Sequence, residues 1–144
     1  MAELRPIVYG SPEYAATLAL RNRVMRIPLG LDIYKEDFSC EATSYLIGLF
    51  EGDTLLAMGT MSHSEEVYKI EYLCVDTHLQ SGGLGGILLE HFVDTARRAG
   101  AAKITLDARV KAQRFYERHG FTAIGEIFLM AIAPVDHIVM ERIL

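Results

Sequence analysis

The order of strands and helices legible in this sequence predicts an α/β fold, a mixed sheet with helices packed on its faces. Three observations carry it. Three strand-like runs follow one another between residues 42 and 75, which predicts an antiparallel meander. A strand–helix–strand passage follows from Ile70 to Asp107, which predicts a parallel pair. Between the two lies a glycine-rich junction, Gln80-Ser81-Gly82-Gly83-Leu84-Gly85-Gly86.

Glu3 to Tyr9 reads as a first strand. Ser11-Pro12-Glu13 is a helix start, with Ser as N-cap, Pro in the first turn and an acid beside it. Tyr14, Leu18, Val24 and Met25 extend that helix to about Met25, and Pro28 and Gly30 end it. Leu31 to Cys40 is irregular and acidic. Ala42 to Phe50 is a strand, Glu51-Gly52-Asp53 a tight turn, and Leu55 to Met61 the returning strand. Val67 to Val75 is the third. From Gly83 onward, Leu84, Ile87, Leu88, His91, Phe92, Thr95 and Ala96 recur at the spacing of one buried helical face, closed by Arg97, Arg98 and Gly100. Ala102 to Asp107 is a strand, Val110 to His119 a short helix, and Phe121 to Ile132 and His137 to Ile143 two closing strands.

The 144 residues suit one domain spanning 1–144, and 51% of them are hydrophobic, enough for a core. No apolar run reaches the roughly 18 residues of a membrane span, and the N-terminus carries no signal-peptide pattern. A net charge of −5 and the absence of a Lys/Arg cluster argue against nucleic acid as partner. Cys40 and Cys74 read as free thiols of a cytoplasmic protein. The five histidines show no metal-ligand spacing, so no metal site is assigned.

Glycines where a strand hands over to a helix bring backbone close to something, and a helix N-terminus favours an anion, most often a phosphate. A P-loop is excluded, because no Lys-Ser or Lys-Thr follows these glycines. The dinucleotide fingerprint is excluded too, since from Gly83 its third glycine position holds Leu88.

What remains is Gln80-x-x-Gly83-x-Gly85 after Leu73-Cys74-Val75-Asp76, and it resembles motif A of the GNAT (Gcn5-related) N-acetyltransferases. Ala112-Gln113-Arg114-Phe115-Tyr116-Glu117-Arg118-His119-Gly120-Phe121 is similar to the family's motif B. Gly125-Glu126-Ile127-Phe128, Pro134, His137 and Met140, with the Arg-rich Leu20 to Met25, resemble a bacterial ElaA/YjcF-like subgroup. The resemblance implies a central sheet of six to seven strands flanked by helices on both faces. It also implies acetyl transfer from acetyl-CoA to a primary amine, by direct attack in a ternary complex. A non-catalytic module that binds acyl-CoA is the alternative.

In that reading, backbone N–H groups of Gln80, Ser81, Gly82, Gly83, Leu84, Gly85 and Gly86 hold the pyrophosphate of coenzyme A. The strand edge at Leu73, Cys74 and Val75 pairs with the pantetheine arm, and an N–H there stabilises the oxyanion. Phe115 belongs to the same cofactor site. Arg109 stands where the family has Asn, and the subgroup Gln, on the cofactor arm; it is a candidate cofactor contact, or can reach a phosphate or stay in solvent.

An alkyl amine with a pKa of about 10.4 must lose a proton before it attacks. Glu71, two residues before Leu73 and so expected on the same strand face, is the candidate base. Glu65, Glu66 and His63 are weaker candidates. Tyr116, at the motif B tyrosine, is the candidate acid for the leaving thiolate. Cys74 is an acyl carrier or a small buried core residue, and His91 a satisfied core histidine. The acceptor, a small-molecule or peptide amine, is expected near Arg21 to Asp37. There Asp32, Glu36 and Asp37 face a cation or only solvent, and Tyr34, Phe38 and Tyr45 wall the pocket or fill the core. An exposed strand edge near the C-terminus makes a homodimer possible.

Overall fold

The computed structural model describes residues 2–80, 82–132 and 134–144. Its elements are β1 (Glu3–Pro6), α1 (Pro12–Arg21), β2 (Tyr45–Glu51), β3 (Thr54–Ser64), β4 (Val67–Val75), α2 (Leu84–Arg98), β5 (Lys103–Arg109), α3 (Gln113–Arg118), β6 (Thr122–Leu129) and β7 (Asp136–Ile143). The strands form one seven-stranded sheet in the order β1-β2-β3-β4-β5-β7-β6. All neighbours are antiparallel except β4 and β5, which run parallel with α2 as their crossover.

The alternation of side chains along the strands sorts the core onto two faces. Ile47, Leu49, Ala57, Met61, Ile70 and Ile104 pack beneath Leu88, Leu89, Phe92 and Ala96 of α2. Leu46, Phe50, Met58 and Cys74 point the other way and pack beneath Tyr14 and Leu20 of α1. Helices therefore cover both faces. No helix among the described residues is long and apolar enough to cross a membrane.

Several expected boundaries move: β1 ends at Pro6 rather than Tyr9, α3 covers Gln113–Arg118 rather than Val110–His119, and β6 ends at Leu129 rather than Ile132. The first helix stays α-helical only to Arg21 and continues as a π-turn, Asn22–Arg26, then a 3-10 turn, Ile27–Leu29, closed by Gly30 at φ 74°. The Asn22 side chain reaches out of this segment to accept a hydrogen bond from the Ile33 N–H at 2.9 Å. The second strand starts at Tyr45 rather than Ala42, because Ser39–Thr43 forms a 3-10 turn. That turn carries Glu41 inward to Arg21 and Tyr14, an attraction across the chain that local strand propensity does not register.

Two irregularities shape the middle of the sheet. In the β3–β4 ladder Thr60 pairs with Tyr72 and Met61 with Ile70, so Glu71 is a bulged residue with no partner. The β4–β5 pairing covers only Val67–Ile70 against Lys103–Leu106. Beyond it β5 stays with β7 as far as Arg109 opposite His137, while Glu71–Val75 of β4 has no strand on that side. The sheet splits open at the C-terminal ends of its two parallel strands.

Candidate active site

The open edge of β4 presents particular backbone groups. The Asp76 N–H donates to the Leu56 carbonyl at 3.0 Å, which makes Val75 opposite Ala57 a pair that does not exchange hydrogen bonds. By alternation, Leu73 opposite Gly59 is another. Leu73 and Val75 therefore turn their N–H and C=O groups into the split. Tyr72 and Cys74 turn theirs toward β3. The Val75 carbonyl accepts a hydrogen bond from the Gln80 side-chain amide at 3.2 Å, as this direction requires.

Cys74 thus offers the split neither its backbone nor its side chain. Its thiol is buried at 2% exposure in the core beneath α1, and burial pushes its pKa up to about 12. A thiol held protonated there is the small core residue of the two readings above, and its expected place in the cofactor site is corrected.

Just beyond Val75, α2 begins. Gly83 is its N-cap with φ 81°, a left-handed conformation that favours glycine, and no side chain caps the helix. The first bond of the helix runs from Ile87 N–H to the Gly83 carbonyl, so the N–H groups of Leu84, Gly85 and Gly86 precede the ladder and have no helical acceptor. Gly85 is small for a different reason. A Cβ there would meet the Phe115 ring at 3.3 Å and Val75 at 3.6 Å, and one on Gly86 would meet His119 at 3.3 Å. Two of the glycines thus admit α3 against the helix start, which ties the two motifs together by packing. Ser81, also expected in this cradle, lies outside the described residues.

The split holds a cavity of about 430 Å³. Glu71, Tyr72 and Leu73 form one wall, Arg109 and Tyr116 the opposite one, and Met25 and Arg26 of the π-turn close an end. A second cavity of about 660 Å³ lies on the other side of Glu71 and Tyr72, walled by Glu36, Asp37, Phe38 and Glu41. Glu71, Tyr72 and Ile132 line both. They form the partition where the two spaces meet.

The bulge corrects the expected face of Glu71. Ile70 and Leu73 both pack with the α2-side core although they lie three residues apart, so the strand changes parity between them. Glu71 is left beside Tyr72, not on the face of Leu73. Its Oε1 accepts a hydrogen bond from Ser62 Oγ at 2.9 Å, and Lys69 Nζ lies 3.9 Å from Oε2 while holding Asp107 at 3.3 Å. The carboxylate is half-exposed, oriented by a hydroxyl, and open to both cavities.

Tyr116 packs partly buried against the core, and loss of solvent around its phenol raises the pKa to about 12, an effect that the positive Arg109 opposes. It keeps its proton throughout the neutral range. Arg109 is half-buried, and among the described residues its guanidinium makes one long hydrogen bond, Nη2 to the Met25 carbonyl at 3.5 Å. Burial and the nearby charge of Arg26 lower its pKa.

Around the second cavity Glu36, Asp37 and Phe38, which the sequence singles out, are joined by Arg21, Arg26 and Tyr72, to which it assigns no role. Arg26 holds Glu36 in a fork at 2.7 and 3.1 Å and donates to the Tyr72 hydroxyl at 3.2 Å. Arg21 lies over both the Phe38 and Tyr72 rings, 4.9 and 4.8 Å from their centroids. Those rings, turned edge to face, wall the second cavity. Glu36 and Asp37 line it as well, and Asp37 is held below the usual carboxylate range by the Ser39 N–H. Asp32 instead caps a turn through the Tyr34 N–H. Tyr45 bonds His91 at 2.7 Å on the α2 face, away from both cavities. Glu65, Glu66 and His63 line neither.

A sequence profile described as "Acetyltransferase (GNAT) domain" matches residues 29–143. The chain belongs to the GNAT acetyltransferase family. As a GNAT protein it is an N-acetyltransferase, whose family activity is acetyl transfer from an acyl-CoA. It is 29% identical over 102 residues to the uncharacterized N-acetyltransferase YjcF of Bacillus subtilis (strain 168), covering 71% of this chain and 72% of that one. Escherichia coli ElaA shares the GNAT fold, with a TM-score of 0.83, 22% identity and 99% of each chain covered. A GNAT acetyltransferase from Elizabethkingia anophelis with acetyl-CoA bound superposes with a TM-score of 0.73 at 18% identity, over 99% of this chain and 98% of that one.

Proposed function

We propose that residues 1–144 form one GNAT domain that moves an acetyl group from acetyl-CoA to a primary amine by direct attack. The observation that carries this reading is the free edge of β4, whose Leu73 and Val75 groups lead from the Glu71–Tyr116 cavity to the uncapped start of α2. A pantetheine arm adds to that edge as a further strand. The pyrophosphate rests on the N–H groups of Leu84, Gly85 and Gly86, with the Gln80–Gly83 loop around it and Phe115 supporting it from below. Helix-end dipoles supply the attraction, so an acidic chain holds an anionic ligand without a cluster of cations.

The amine enters from the second cavity. Glu71 takes the proton that frees the nitrogen lone pair, and the nitrogen attacks the thioester carbon. The Leu73 N–H donates to the oxygen as it becomes negative, an interaction worth about 3 kcal/mol in comparable sites. The C–S bond then breaks, the nitrogen gives up its second proton, and the thiolate takes one up. Tyr116 donates its hydrogen bond to the sulfur. Its pKa lies above that of a thiol, about 8.5, so the nitrogen rather than the phenol is the net source of that proton.

The apolar edge of β6, with Ile127 and Leu129 exposed, suits pairing with a second copy. A coenzyme-A-release assay over alkyl amines, polyamines, aminoglycosides and peptide N-termini tests the activity. Turnover with one class, lost about a hundredfold in Glu71→Gln, is the expected result. No release with any amine defeats the reading, and an undiminished Glu71→Gln enzyme removes Glu71 from the base role.

A further inference from the structure

We infer that Arg109 is a receptor for a carboxylate on one of the two substrates, and so determines which substrate this acetyltransferase accepts. The inference rests on the proposed function and adds the chemical class of its ligand. It begins from the charges around the first cavity. Arg26 is matched by Glu36 at 2.7 Å. Lys69 is matched by Asp107 at 3.3 Å and approached by Glu71. Asp107 and Glu36 are thereby occupied, and Glu71 is oriented by Ser62. Among the described residues no carboxylate pairs with Arg109, although its guanidinium carries five N–H donors. Among the described residues its guanidinium makes one hydrogen bond, 3.5 Å to the Met25 carbonyl, and Arg109 lines the cavity with its other donors unmatched by any carboxylate there.

Burial of a cation costs free energy unless it is paired, and Arg109 shares the Met25 carbonyl, at 3.5 Å, with a second guanidinium, that of Arg26, at 3.3 Å. The arrangement stores unfavourable charge that a bound anion relieves. The proposed pyrophosphate site is the start of α2, whereas Arg109 sits at the end of β5 and shares a wall of the cavity with Tyr116. An anion at Arg109 is therefore at the reacting end. A planar carboxylate matches the guanidinium fork with two parallel hydrogen bonds. It comes from the acceptor, as in an amino acid, or from the acyl chain, as in a dicarboxylic acyl-CoA.

The test measures ratios. In one arm, acetyl-CoA is supplied with amino acids of increasing length and with their carboxamides. In the other, butylamine is supplied with succinyl-CoA and with butyryl-CoA. The wild type is expected to favour the carboxylate member of one arm by at least about tenfold in kcat/KM. Preference in the first arm locates the carboxylate on the acceptor, and in the second on the acyl chain. Arg109→Gln is expected to bring the ratio to within about twofold of unity, and Arg109→Lys to fall between. Circular dichroism checks that each variant is folded.

Calorimetric titration of the coenzyme-A-saturated protein with glutarate gives a readout free of turnover. Binding in the wild type that is lost in Arg109→Gln supports the inference. Absence of carboxylate preference in both arms overturns it, as does a preference that Arg109→Gln leaves intact. Should no pair turn over, the acyltransferase reading falls by itself, and the glutarate titration decides for or against Arg109.

Discussion

Arg21 and Glu41 form a two-pronged ion pair, Nη1 to Oε2 at 2.8 Å and Nη2 to Oε1 at 3.0 Å, sealed from solvent beneath the second cavity. Tyr14 donates a third hydrogen bond to the same carboxylate at 2.7 Å, and Thr17 Oγ1 accepts from Arg21 at 3.0 Å. Because the guanidinium also lies against Phe38 and Tyr72, the pair fixes the aromatic wall of the second cavity. Glu41→Ala leaves a charge buried alone and is expected to cost about 3–5 kcal/mol in urea denaturation. An apolar double replacement, Arg21→Met with Glu41→Leu, is expected to lose less, because no lone charge remains. Among variants that stay folded, the KM for the amine is expected to rise more than that for acetyl-CoA.

Tyr116→Phe separates the phenol's chemistry from its packing. The ring stays, so stability at neutral pH is expected to change by less than about 1 kcal/mol, while kcat falls about 10–100-fold. The alkaline limb carries a second signature. The folded pKa, about 12, lies above the usual tyrosine value of 10 because burial disfavours the phenolate. The stability this provides is present below pH 10 and is lost as pH rises from 10 toward 12. One such group contributes a slope of at most about 1.4 kcal/mol per pH unit. Denaturation at pH 9, 10 and 11 is expected to show a shallower loss in Tyr116→Phe than in the wild type. Parallel slopes leave Tyr116 outside the alkaline transition.

The sequence and the structure part company where long-range contacts outweigh local pattern. The bounds of β4, the helix after Gly83 and the order of all the elements follow from periodicity and turn chemistry. The Glu71 bulge does not, because a bulge is a disagreement between two strands and only the β3 register displays it. A strict two-residue alternation therefore assigned Glu71 to the face of Leu73. Arg26 and Tyr72 escaped notice for a similar reason. Each is ordinary in its own segment; the π-turn and the Arg26–Glu36 fork bring Arg26 to the cavity, and the end of the β4–β5 pairing at Ile70 opens it beside Tyr72. Gly83 is legible because its left-handed backbone favours glycine locally, Gln80 because the motif resemblance marks it, and Arg109 only as a departure from that pattern.

Gly59→Ala tests how closely α2 is laid on the sheet. A Cβ at Gly59 would lie 2.4 Å from Phe92 Cε2, and Phe92 is fully buried with nowhere to retreat. Overpacking of this kind costs about 1–3 kcal/mol. Gly85→Ala places its Cβ at 3.3 Å from Phe115, a ring that is only partly buried, so a shift of a few tenths of an ångström accommodates it. The expected order of urea midpoints is wild type, then Gly85→Ala, then Gly59→Ala. The order of acetyl-CoA affinity is expected to differ, with Gly85→Ala the more impaired, because pushing Phe115 and Val75 aside shifts the start of α2, whose N–H groups are proposed to hold the pyrophosphate. A common ranking in both measurements would show that the two glycines serve packing alone.

The two cysteines sit in opposite environments, and their chemistry is expected to follow. Cys40 is exposed on the rim of the second cavity, and Cys74 is buried beneath α1 with its pKa pushed up to about 12. Alkylation proceeds through the thiolate. At pH 8 a haloacetamide is expected to modify one thiol per chain under native conditions, mapped to Cys40 by mass spectrometry. Cys74 is expected to react only after unfolding in urea. Coenzyme-A release by Cys74→Ala is expected to stay within about threefold of the wild type, since the thiol reaches neither cavity and an amine attacks the thioester directly. Trapping an acetylated Cys74 after brief exposure to acetyl-CoA would instead reveal a covalent relay and replace the ternary-complex route.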